Sequence, residues 1–231
     1  MPPRVRTLAP MSAIKSCGMI SGVVTEILEP DADPVDPLLT DRDALSGGFY
    51  ELAIQLGPRD HQRLQTALST VAQVAQIEGP WHVTFSPAPQ VKRVSWSVTD
   101  LERGQLKGLV RPVGSLQTLC IVVAVREDAG ADWLDVCLPL EALSRIETRV
   151  RAFPFGDDGG AESLIWRRPY DDWLAQIGRA VYRDVGFELG AIGFEMSGIV
   201  DAESVADGVP DNRGYGVLQP GDQLNYLPAT C

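Results

Sequence analysis

The feature that most constrains this chain is a pair of alternating apolar runs on either side of a polar stretch, "LQTLCIVVAVREDAGADWLDVCLPL" at residues 116–140. Apolar residues at every second position form one row on one face of an extended strand, and a turn between two such runs folds them into an antiparallel hairpin. Ile121, Val123 and Val125 share a face of the first strand, Leu134, Val136 and Leu138 a face of the second, and "EDAGAD" supplies the turn. For those two rows to coincide, paired residue numbers must sum to an odd value. A two-residue Ala129-Gly130 loop then sets Val122 opposite Cys137, and a four-residue loop sets Cys120 opposite Cys137. Both registers place the two thiols on one face, away from the aliphatic row.

The same reading extends in both directions. In "FYELAIQL" Tyr50, Leu52, Ile54 and Leu56 alternate with Glu51 and Gln55, as in a strand with one face buried and the other polar. Pro58 suits a first helical position, and Leu64, Ala67, Leu68, Val71, Val74 and Ala75 recur at helical spacing until Gly79 and Pro80. "VKRVSWSV" alternates with Val94, Trp96 and Val98 inward, and "GQLKGLVRP" can pair back on it; the capping-box form of "TDLE" competes with this, but Gly104 leaves such a helix little room.

"PLEALSRIE" reads as a short helix and "FPFGDDGGAES" as an acidic, glycine-rich loop. A second long helix opens at Pro169, carries Asp171 and Asp172 in its first turn, and ends at Gly186. A strand within "FELGAIGFEMSG" follows, with Ile192, Phe194 and Met196 on one face and Ala191, Gly193, Glu195 and Ser197 on the other. The order β-α-β-β-β-β-α-α-β predicts an α+β protein: an antiparallel meander with two longer helices packed on one face, in two layers.

Charge divides the chain. Of the net −11, residues 26–43 carry −6 and residues 201–231 carry −4, so the remaining residues, 1–25 at +3 and 44–199 at −4, together carry only −1. "LEPDADPVDPLLTDRD" holds three prolines and no hydrophobic period, and residues 201–231 show no period of either kind. The expected organisation is an irregular acidic, proline-rich segment over 1–46, an α+β domain over 47–200, and an irregular acidic segment over 201–231.

Candidate sites follow from residue types. Glu195, the one carboxylate in its strand, faces water if helices cover the Ile192 face; alternatively the small Ala191 and Gly193 leave a trough beside it where a ligand could approach, and a general-base role would use it there. "IWRRPYDDW" concentrates Trp166, Arg167, Arg168, Tyr170 and Trp173, the residue types of interface anchors, with Trp166, Arg168, Tyr170 and Trp173 the candidate binding residues, and "DWLDV" adds Trp133 and Asp135.

Catalytic signatures are sparse. Only His61 and His82 are present, and no GxSxG, GxGxxG, GxxxxGK[ST], HExxH or EF-hand pattern occurs. Four cysteines without a CxxC pair suit free thiols in a reducing compartment rather than zinc or a disulfide framework. Neither a metal nor a cofactor is expected. No basic run is present to track a phosphate backbone, so nucleic acid is an unfavourable ligand. Lys15 interrupts the apolar stretch near the start, so no signal peptide or membrane span is expected. Arg supplies 17 of the 20 basic residues, the bias of a GC-rich gene and hence of a bacterial source.

The sequence therefore favours a non-enzymatic cytoplasmic binding protein, such as an immunity or accessory protein, that meets a protein partner with a basic surface. Two alternatives stand beside it. One is a small carboxylate-dependent hydrolase or transferase using Glu195, with Asp171 or Asp135 nearby. The other is a structural subunit of a larger assembly.

Overall fold

The computed structural model describes residues 35–114, 116–126, 130–150 and 160–231. The expectations for residues 1–34, for the turn at 127–129 and for most of the acidic glycine-rich loop lie outside the described residues.

The expected α+β class holds. Among the described residues nine strands form one antiparallel sheet: β1 (Phe49–Pro58), β2 (Glu78–Thr84), β3 (Gln90–Arg93), β4 (Leu106–Val110), β5 (Thr118–Arg126), β6 (Ala131–Pro139), β7 (Leu189–Phe194), β8 (Gly216–Gln219) and β9 (Asn225–Leu227). They lie in the order β3-β2-β4-β5-β6-β1-β7-β8-β9. Strands β4, β5 and β6 follow one another as in the meander expected from the sequence, but β4 pairs with β2 and not with the 91–98 strand, and β1 returns to the sheet beside β6. Two of the five helices are long, α2 (His61–Val74) and α5 (Leu164–Val185); α1 (Pro37–Thr40), α3 (Val98–Glu102) and α4 (Leu140–Ser144) are single turns or little more.

Both long helices pack on the sheet face that carries the even-numbered row of β1. Leu64, Leu68 and Val71 of α2, and Leu174, Ile177 and Val181 of α5, share one core with Tyr50, Leu52, Ile54 and Leu56. Gly178 sets how closely α5 approaches the sheet: a Cβ there would lie 2.3 Å from Leu218 Cδ1. Thr70 donates a 2.7 Å hydrogen bond to Asp184 and ties the two helices together.

Helix starts differ from the sequence reading. Pro58 is the last residue of β1, and α2 begins three residues later, where the Asp60 side chain accepts from the backbone N–H groups of Gln62 and Arg63. A carboxylate cap satisfies two donors, which proline at a first helical position cannot. Helix α5 begins at Leu164, five residues before Pro169. Proline is tolerated inside it because Pro169 sits on the outer face with the exposed Ile165 and Arg168, so the Ile165 carbonyl it leaves unbonded can meet water. Helix α3 uses Ser97 rather than Thr99 as its cap, with Asp100 closing the box, so Val98 is the first residue of a helix and not an inward strand residue. The strand expected over residues 91–98 shortens to β3, and its partner is β2, where the sequence suggests only the Gly79-Pro80 stop of a helix.

The hairpin register also differs. Ile121 pairs with Cys137 and Val122 with Val136, so paired numbers sum to an even value. The row facing the helices is Cys120, Val122 and Ala124, with Leu134, Val136 and Leu138. Ile121, Val123 and Val125 lie on the other face. Cys120 is opposite Leu138 by this register, so the two thiols leave the sheet on opposite faces, not the same one.

The tail expected to be irregular adds β8 and β9 to the sheet edge, and the segment between β7 and β8 folds over the face away from the long helices. Met196, Val200, Val205 and Val217 form a second core there with Ala53, Trp133 and Ala191. The reading of β1 as half-buried fails for this reason: Glu51 is 3 % exposed. Near residues 35–48, a third cluster of Leu39, Ala44, Leu109, Leu119 and Ala142 covers the same face farther along, so the proposed boundary at 46 cuts through α1's packing.

Candidate functional site

On the face away from the long helices, the strand registers generate three cross-strand rows. Gly193, Glu51, Cys137 and Ile121 form one; Ala191, Ala53, Asp135 and Val123 the next; Leu189, Gln55, Trp133 and Val125 the third. Two carboxylates and a thiol therefore occupy neighbouring positions on a covered surface.

The chain after β7 determines their environment. Glu195 does not continue the strand. Its φ of 51° turns the backbone, its N–H donates to Phe49 O at 3.1 Å, and its carboxylate accepts from Phe49 N at 2.7 Å. That turn carries Met196 to the face opposite Phe194, although strict alternation would have kept them together. The trough expected beside Ala191 and Gly193 is filled: a Cβ on Gly193 would lie 2.9 Å from Met196 Sδ and 3.2 Å from Tyr215 Cβ. Only glycine lets this segment settle onto the sheet. Glu195 is half-buried and occupied in holding the turn.

Ser197, two residues on, joins the buried carboxylates. Its N–H donates to Glu51 Oε1 at 2.7 Å, and its hydroxyl donates to Asp135 Oδ2 at 3.0 Å. The Cys137 thiol donates to the other Glu51 oxygen at 3.2 Å. Asp135 is 3 % exposed, and among the described residues its Oδ1 has no hydrogen-bond partner. Burial raises the Asp135 pKa to about 7, with the Glu51 charge adding to the effect. Burial raises Glu51 as well, partly offset by the hydrogen bonds from Ser197 and Cys137. Burial, and then both carboxylates, push the Cys137 thiol up.

A cleft of about 360 Å³ opens beside this cluster, lined by Trp133, Ser197, Gly198 and Asp201 together with Gln55, Val125 and Ala131. Val125 is 42 % and the adjoining Ile199 68 % exposed. Ser197 thus belongs both to the cleft wall and to the hydrogen bond on Asp135.

The sequence-derived site residues separate. Trp133 and Asp135 come together here. Trp166 and Tyr170 are 5 % exposed and belong to the core under α5, where Trp166 lies 6.0 Å from the rings of Tyr50 and Phe194. Trp173 is half-buried and Arg168 exposed on the same helix, away from the cluster in sequence and in face. Asp171 lies well inside α5 and takes a hydrogen bond from the Tyr50 hydroxyl; burial lifts its pKa to about 6. Arg167, next to Arg168 in the same stretch, is 2 % exposed. It donates to the Tyr50 hydroxyl, Ser163, the Gly214 carbonyl and the Cys231 carbonyl.

Neither histidine reaches the cluster. His61 is exposed at the start of α2, and His82 hydrogen-bonds the Asp100 carbonyl at 2.9 Å on β2, three strands from β6. Among the described residues no group of three or more His, Cys, Asp or Glu side chains is placed to hold a metal ion, and no helix is long and apolar enough to cross a membrane. The fold and cleft define an α+β protein with a buried acidic pair beneath a surface groove. No protein-family model, curated protein or solved structure matches the chain.

Proposed function

We propose that this is a non-enzymatic binding protein of the cytoplasm, of immunity or accessory type, and that the cleft at Trp133 and Ser197 receives a cationic side chain from a basic protein partner. One observation carries the reading. Asp135 is a buried carboxylate with an unpartnered oxygen and a serine bridge to an open cleft, and among the described residues no Lys or Arg forms an ion pair with it. A guanidinium or ammonium entering beside Ser197 would supply the missing charge, Asp201 would add a second carboxylate at the rim, and Trp133, Val125 and Ile199 would pack its apolar stem. The net charge of −11 favours approach of a basic surface and disfavours nucleic acid.

The carboxylate-enzyme alternative is less well supported. Glu195, its proposed base, already accepts the Phe49 N–H and is held in a turn, while the Asp135–Ser197 pair has no histidine beside it. A structural-subunit role gains no specific observation.

The reading is tested by calorimetric titration of the full chain with an arginine-rich and a glutamate-rich dodecapeptide. Saturable binding of the first alone, weakened at least about 10-fold by Asp135→Asn or Asp201→Asn and unaffected by Glu195→Gln, supports it. Equal binding of both peptides, or no sensitivity to Asp135, rejects it.

A further inference from the structure

A second cleft, farther along the sheet at β2 and β4, has the opposite charge character. Lys107 lies in β4 and is only 4 % exposed. Its ammonium sits 4.7 Å from the centre of the Phe85 ring, and among the described residues it has neither an ion-pair nor a hydrogen-bond partner. A buried ammonium without a counter-charge is costly. Consistent with that, burial alone lowers its pKa to about 8, with no carboxylate acting on it.

The surroundings of Lys107 add positive charge. Arg42 donates to the Phe85 carbonyl and lies 5.1 Å from the same ring, so two cations share one aromatic side chain. Lys107 lines a cleft of about 370 Å³ with Arg103 and His82 on its polar side and Leu45, Val83 and Phe85 on its apolar side. Asp100, on α3 beside Arg103, is already engaged. It is taken up by Ser97, by the Ser95 N–H and by Arg103 at 3.2 Å, and its carbonyl holds His82. Lys107 is the charge in this cleft that remains unanswered.

We propose that this cleft is a binding site for a small organic carboxylate, whose anionic group meets the Lys107 ammonium and whose apolar body lies against Phe85, Val83 and Leu45. The size falls within the ~300–1,000 Å³ typical of small-molecule sites. An anion placed on a partly desolvated ammonium gains more than one at the open surface, because less water screens it. The apolar wall selects against fully hydrated inorganic ions, and the site shares no lining residue with the Asp135 cleft.

The experiment is a nuclear magnetic resonance titration of the full chain with benzoate, inorganic phosphate and methyl benzoate. The expected result is a saturable shift of the Phe85, His82 and Lys107 signals with benzoate, at dissociation constants below about 10 mM. Methyl benzoate, which keeps the body and lacks the charge, should give no saturable shift. Lys107→Met removes a buried charge without removing volume and should stay folded, with benzoate affinity down at least about 10-fold; Lys107→Arg should retain it within about 3-fold. Absence of saturation with benzoate, equal binding of the methyl ester, phosphate binding more tightly than benzoate, or unchanged affinity in Lys107→Met would each overturn the proposal. The titration of the unaltered chain decides the question even if a variant fails to fold.

Discussion

Ser197 donates its hydroxyl to Asp135 across 3.0 Å and its backbone N–H to Glu51 across 2.7 Å, so one residue beyond β7 spans two carboxylates on neighbouring strands. Both acids are buried, and burial raises the pKa of each. The sign of the resulting pH dependence follows. Between the unfolded aspartate value near 4 and the folded value of about 7, the native state holds a proton that the unfolded chain has lost, so stability falls as pH rises through that window and levels off above it. Asp171, at about 6, acts in the same direction. Asp135→Asn is therefore expected to stabilise the protein at pH 8 by on the order of 1–3 kcal/mol and to flatten the pH profile, measured as denaturation midpoints from pH 4 to 8. A steeper profile in the variant would place the titrating group elsewhere.

The same proton affects partner binding. A cation entering the cleft prefers ionised Asp135 and competes with its proton, so affinity for the arginine-rich peptide should rise from pH 5.5 to about 7.5 and then level off. Glu51 and Cys137 face Asp135 from β1 and β6, and their raised pKa values keep Cys137 neutral across this range. Calorimetry at four pH values in two buffers of different ionisation enthalpy would show proton release on binding near pH 6. No proton release would exclude Asp135 as the receiving group.

Glu195 is expected to matter for folding and not for chemistry. Glu195→Gln keeps an oxygen for the Phe49 N–H and should shift stability by less than about 1 kcal/mol, whereas Glu195→Val should cost roughly 2 kcal/mol, because it loses the acceptor and places a β-branched residue at a φ of 51°. Glu195→Gly should fall between the two, since the lost acceptor is offset by relief at positive φ. Urea midpoints of the three variants give the ranking.

The strands and helices with strong periods were legible in the sequence: the even row of β1 and, apart from the exposed Val74, the stripe of α2 lie where the pattern put them. What could not be read was which face each row served. Ile121, Val123 and Val125 look like a core row, yet the less apolar Cys120, Val122 and Ala124 face the helices, because both faces of β5 are partly covered and β-branched residues suit either. The covering segment carried no signal of its own. Residues 195–215 cross the sheet without a helical or strand period, held by single contacts such as Gln55 to the Ala202 N–H at 2.8 Å, and a non-glycine residue at positive φ is not announced by its neighbours. Asp135 was noticed for its type, but its isolation from any cation depends on a fold that periodicity alone does not provide.

Arg167 and Arg168 provide a direct contrast between adjacent residues. Arg167 is buried and serves the Tyr50 hydroxyl and two carbonyls of the C-terminal segment, while Arg168 is exposed on the other side of α5. Arg167→Met should cost about 3 kcal/mol or more, by leaving the carbonyls of Gly214 and Cys231 without donors. Arg168→Ala should stay within about 0.5 kcal/mol. Chemical denaturation of both tests this, and equal effects would contradict the burial difference.

The thiols give the most direct check on the hairpin register. With Ile121 opposite Cys137 and Val122 opposite Val136, the side chains of Cys120 and Cys137 leave the sheet on opposite faces, and a disulfide needs Cβ atoms about 4 Å apart on one side. Burial raises Cys120 to about 12, and burial with the neighbouring carboxylates raises Cys137, so neither is a thiolate at neutral pH. In a Cys17→Ser background, a thiol reagent at pH 7.5 should label Cys231 fast and the other two only at the rate of unfolding. Mild oxidant should leave Cys120 and Cys137 unlinked, as read by peptide mapping under native conditions. A Cys120–Cys137 cross-link in the folded protein would require the odd-sum register, and with it a different face for every side chain of β5.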